Sequence, residues 1–172
     1  IMLGYTSGNK TSTDSNIFIG NYTGDQNTTG TKNIFMGSGE VSSTNPTSCG
    51  GKNTTGSDNL FFGYQSGKNN TIGKDNIFIG NNSGLNNLDT DNNIFFGKSS
   101  GEKNTAGIQN LFVGNYSGYK NEKGSRNTYL GFQAGLGVSS KSHSGCVFVG
   151  ANAGVVAYTG DNNIAIGYGA MD

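Results

Sequence analysis

Ten times along the chain a short apolar run ends in glycine, and these glycines keep step: Gly4, Gly20, Gly37, Gly63, Gly80, Gly97, Gly114, Gly131, Gly150 and Gly167. Six of the nine intervals are 17 residues, and the others are one deletion and two insertions. A tandem period of this length restricts the fold to stacked units, each burying its apolar face against the next. Helical hairpins do not fit, because each glycine costs a helix about 1 kcal/mol relative to alanine. Short β-branched or aromatic runs bounded by Gly and Asn read instead as strands joined by tight turns. The expected fold is all-β, a parallel β-roll or β-solenoid of about ten coils rising about 48 Å at the strand spacing. Residues 1–172 then form a single array with insertions near 38–52 and 136–145.

One unit reads N-[IL]-F-[IFV]-G-x-x-[ST]-G-x-x-N-x-x-G-x-x. Stacking places equivalent residues above one another, so Asn16, Asn33, Asn59, Asn76, Asn93, Asn110, Asn127 and Asn163 are expected to form an amide ladder, interrupted by Cys146. The middle of the triplet is Phe18, Phe35, Phe61, Phe78, Phe95, Phe112, Tyr129 and Phe148. Three residues after the closing Gly comes a small residue, such as Ser66, Ser83 or Ala134, usually followed by another Gly that supplies a positive-φ turn. A later Asn recurs at Asn27, Asn70, Asn87, Asn104 and Asn121.

A triplet such as Ile77-Phe78-Ile79 offers apolar side chains to both faces of its strand. Either the Phe column or its flanks points into the coil, and the other points out. If the Phe column points out, seven Phe of at least about 150 Å² each, halved for stacked neighbours, leave about 500 Å² of apolar stripe. That is at the upper end of what a monomer shows. A partner surface is therefore expected, and a parallel homo-oligomer with the triplet strands around a shared axis supplies it.

Composition excludes several classes. Glycine is 30 of 172 residues and charged residues are 13%, against about 25% in ordinary domains. The zero net charge and the ten Phe and eight Tyr argue against disorder. No basic stripe exists to neutralise phosphates, so nucleic acid is not an expected partner. No segment has the apolar length of a membrane span, and no signal peptide is visible. The chain opens "IMLG" and both ends fall inside the repeat, as in a window from a longer protein.

No catalytic constellation or cofactor motif emerges, and no residue group has metal-ligand spacing. Cys49 and Cys146 read as free small hydrophobes, His143 as solvated, and the turn acids Asp14, Asp25, Asp58, Asp75 and Asp91 as caps or solvated groups. The insertion Ser38 to Lys52 reads as a surface loop, with a binding face as the alternative. Thr28 and Thr54, in "NTTG" turns, and Tyr22 and Tyr116, after the triplet Gly, are the candidate ligand-facing residues for a glycan or ice. The neighbouring column breaks at Ile72, Asp89, Ala106 and Lys123, which favours turn chemistry over a Thr array. The Tyr residues have packing against the next coil as their alternative.

The stretch "NNIAIGYGA" (Asn162 to Ala170) resembles the head repeats of YadA-like trimeric autotransporter adhesins, and "NTYLGFQAG" (Asn127 to Gly135) is similar to arrays in phage tail fibres and bacterial surface proteins. That resemblance implies a left-handed parallel β-roll with three chains side by side, outside the cell, on its surface or on a virion. The expected function is a non-enzymatic fibre or adhesin segment that spaces or displays a binding tip, with a cell-surface or glycan target. Direct glycan or ice binding by exposed turns is the alternative. In that family the unit is shorter and the middle residue of the triplet is small. Phe at that position requires a wider core or a wider axis.

Overall fold

A computed structural model describes residues 1–40, 47–137, 142–156 and 160–171. Each apolar run forms a short strand: Met2–Leu3 (β1), Ile17–Ile19 (β2), Ile34–Met36 (β3), Leu60–Phe62 (β4), Ile77–Ile79 (β5), Ile94–Phe96 (β6), Leu111–Val113 (β7), Thr128–Leu130 (β8), Val147–Val149 (β9) and Ile164–Ile166 (β10). They pair in chain order as one ten-stranded parallel sheet, in the register of the repeat: Phe61 faces Phe78, and Phe78 faces Phe95. The molecule is a β-solenoid with one strand per coil, and the described residues contain no helix. From first strand to last it rises about 43 Å.

The Phe column points inward. Phe18, Phe35, Phe61, Phe78, Phe95, Phe112, Tyr129 and Phe148 are all fully buried. Of the two facings the sequence left open, this is the one with the Phe column as core, and the flanking residues of each triplet face out. The rings stack continuously, with centroids 4.7 to 5.0 Å apart and planes within 15° of parallel. At that separation the rings are offset, and such pairs contribute about 0.5–1.5 kcal/mol each beyond area burial. The column ends at Ala165, which is itself buried.

Glycine makes room for the rings. At Gly84 the backbone is left-handed (φ 58°), and a Cβ there would lie 2.6 Å from the Phe78 ring. The ring therefore lies directly on the backbone of the opposite wall, which is how one coil encloses a Phe. At Gly80 (φ 131°) a Cβ would lie 2.5 Å from the carbonyl oxygen of Gly97 in the next coil. The glycine that closes each triplet is thus required by coil-to-coil approach as well as by φ.

Two amide ladders line the interior. In the first, the backbone N–H of Asn76 donates to Asn59 Oδ1 (3.0 Å), and Asn93 repeats this to Asn76 (3.0 Å). The Asn76 amide also donates to Asn59 Oδ1 and to the Thr90 carbonyl. The second ladder runs Asn27, Asn53, Asn70, Asn87 and Asn104, each amide donating to the previous Oδ1 at 2.8 to 3.2 Å. Asn53 belongs to it because the repeat resumes inside the long insertion, with Cys49 in the column of Ser66. Ser66, Ser83, Ser100 and Ser117 donate to the carbonyl of the following coil's aromatic residue, and Cys49 Sγ does the same to Phe61.

The second insertion also holds a surprise. His143 was expected in solvent but is buried, edge-on to Phe148 at 6.5 Å. It occupies the column of Gly107 and Gly124, where its carbonyl accepts from Asn127 and its N–H donates to Asn121 Oδ1. Residues 41–46 of the first insertion and 138–141 of the second lie outside the described residues, so the binding role weighed for the Ser38–Lys52 loop falls partly there.

Candidate functional site

The outward side chains of the strands form two columns. One runs Ile17, Ile34, Leu60, Ile77, Ile94, Leu111, Thr128, Val147 and Ile164; the other runs Ile19, Met36, Phe62, Ile79, Phe96, Val113, Leu130, Val149 and Ile166. Every member is at least partly exposed, while the residue between them is buried at every rung. Phe62 and Phe96 stand half exposed, at 50% and 51%. Seventeen of the eighteen positions are apolar and none is charged. With columns about 7 Å apart and a length of about 43 Å, the stripe covers about 300 Å² in footprint. That lies within the range of the largest apolar patches found on monomers.

The predicted ladder residues are where the repeat placed them, with two irregular ends. Cys146 takes the ladder position above Asn127, so the Asn163 N–H meets Cys146 Sγ at 3.4 Å, and its amide donates only to Gly160. Asn16 retains its acceptor role toward the Asn33 N–H. Cys49 and Cys146 are both buried free thiols. Burial pushes the Cys49 thiol far above the ordinary range, against two backbone hydrogen bonds that lower it.

The Thr candidates are already engaged. Thr28 and Thr54 are half-buried, and their hydroxyls donate to the carbonyls of Thr54 and Thr71 in the next coil, each at 3.0 Å. Tyr22 packs edge-on to Tyr5 at 5.5 Å. Tyr116 packs edge-on to Tyr119 (5.8 Å) and Phe132 (6.5 Å), with Lys98 Nζ 5.9 Å from its ring. Both Tyr22 and Tyr116 have positive φ, a conformation that fifteen other non-glycine residues share among those described. All but Met171 fall in two columns, two residues after the closing Gly and immediately before the ladder Asn. Sequence reasoning missed these columns because they vary in residue type.

A shallow notch of about 490 Å³ is lined by Ser125, Arg126, Ser144, Gly145, Asp161 and Asn162. It opens where Gly145 leaves no side chain between Arg126 and Asn162. Two of its polar groups are engaged by the coils: Ser144 Oγ accepts from the Ser125 N–H and Asp161 Oδ1 from the Ser144 N–H. Asp91 likewise caps the Lys74 N–H at 2.7 Å. Among the described residues no group of His, Cys, Asp and Glu could hold a metal ion, and no helix is long and apolar enough to cross a membrane. Comparison with protein-family models, curated proteins and solved structures gives no match to this chain.

Proposed function

We propose that the chain is a structural segment of an extracellular or virion-surface fibre, in which three parallel copies form a rod that spaces or displays a binding tip. The observation that supports this reading is the uncharged two-column stripe along the full length of the sheet. Its rungs repeat every 4.8 Å or so, and a surface that meets each rung alike must share that period. A second copy of the same array does. In a three-fold arrangement the Ile77 column of each chain lies against the Ile79 column of the next, a head-to-tail contact that closes into a ring. Both columns are then covered, and the interior stacks and ladders supply stiffness along the rod.

Glutamate at Ile79 and Val113 tests the reading. These side chains lie outside the coil, so the variant keeps its β-sheet circular dichroism and falls to single-chain mass in light scattering. An unchanged assembly mass in a folded variant would remove the stripe from the interface.

A further inference from the structure

We propose a second, independent site on the flank of the rod: Tyr116, Tyr119, Phe132, Lys98 and Lys103 form a binding site for an acidic glycan, one whose sugars carry carboxylates. The cluster spans three consecutive coils. Lys98 and Lys103 come from the first, Tyr116 and Tyr119 from the second and Phe132 from the third. The rings touch through Tyr116, and each ammonium hovers at the limit of cation–π contact, 5.9 Å from Tyr116 and 6.0 Å from Tyr119.

Two observations point to a ligand. The aromatic surface is partly open, with Phe132 49% exposed and both Tyr rings half-buried. Tyr116 holds φ 60°, much as Tyr22, Gln65, Asn82, Gln133 and Asn152 do in the same column of other coils. Charge is also concentrated here. Residues 97–130 carry five cations (Lys98, Lys103, Lys120, Lys123 and Arg126) against two anions (Glu102 and Glu122), within a chain of zero net charge. Aromatic faces offer stacking to the apolar face of a sugar ring, and the ammonium groups offer counter-charge to its carboxylate. Glu102 accepts from the Tyr119 hydroxyl at 3.4 Å, leaving the two ammonium groups in excess of one carboxylate, whereas the charge beside the Tyr5–Tyr22 pair is Asp25.

The site does not depend on assembly, so the stripe variant above serves as a background in which it persists. The probes are hexagalacturonate, a hyaluronate hexasaccharide and sialyllactose, with neutral chitohexaose as control, titrated by calorimetry and by amide NMR shifts. At least one acidic probe is expected to bind, with shifts confined to residues around 98–132 and affinity falling as salt rises. Tyr116→Asn, a residue this column already accepts, weakens binding about tenfold, as does Phe132→Ala. Lys98→Gln with Lys103→Gln removes most of the salt dependence, and Tyr22→Ala changes nothing. Failure of all three acidic probes, equal binding of chitohexaose, or binding indifferent to Tyr116→Asn in a folded variant would each overturn the site.

Discussion

At the scale of single residues, the coil is governed by contacts that leave no room for a methyl group. Gly84→Ala sets a Cβ against the Phe78 ring in a left-handed backbone, and should cost about 2–4 kcal/mol in denaturant unfolding. Asn82→Gly, at nearly the same φ two residues earlier, should stay within about 1 kcal/mol of the parent. A similar loss at both positions would contradict the ring contact as the cause. Tyr129 is the one hydroxylated rung of the aromatic stack, and its oxygen is buried without a hydrogen bond among the described residues. Tyr129→Phe should therefore stabilise by about 1 kcal/mol. Cys49 adds a pH dependence. Its folded pKa is raised by burial, so the thiol contributes fully below the ordinary cysteine range. That contribution is lost as pH rises above about 8.5, where the unfolded chain ionises first. Native Cys49 should resist iodoacetamide at pH 8 and react on unfolding, and Cys49→Ser should flatten the alkaline fall in melting temperature.

At the scale of the repeating element, stability runs through the two Asn ladders. Asn76→Ala leaves the Thr90 carbonyl only the 3.4 Å contact from Asn87, and strands the Asn93 N–H and one lone pair of Asn59. A loss of about 3 kcal/mol is expected. Cys146→Asn should restore the missing rung and stabilise the last coils by about 1 kcal/mol, read as slower hydrogen exchange in β9 and β10. The ladder through Asn76 was legible in the sequence, because an amide needed at every rung repeats at every rung, while the second showed only as a recurring Asn. The strands, the period and the Gly closures were legible for the same reason. The facing of the triplet was not, since Ile-Phe-Ile is apolar on both sides and periodicity cannot choose between them. The deciding contact is a glycine five or six residues later, at Gly84 for Phe78, whose missing Cβ admits the ring. Asn53 and His143 were misread or missed because insertions shift their numbers away from their columns, and a buried histidine in a polar stretch has no sequence signal.

At the scale of the whole molecule, one face of the rod is finished and the other is not. The interior is closed by stacked rings and amides, and the turns satisfy one another coil by coil, as Asn82 to Tyr64 and Gly84 to Ser100 illustrate. The stripe of Ile, Leu, Val and Phe has no such cover among the described residues. This is the origin of the assembly reading, and the sequence announced only that some face would need a partner. Sedimentation equilibrium of the unaltered 172-residue chain, run across a range of loading concentrations, tests that reading most directly. Three times the chain mass, with the sheet intact by circular dichroism, is the predicted result. A single-chain mass at every concentration, with the coils still ordered, would contradict it.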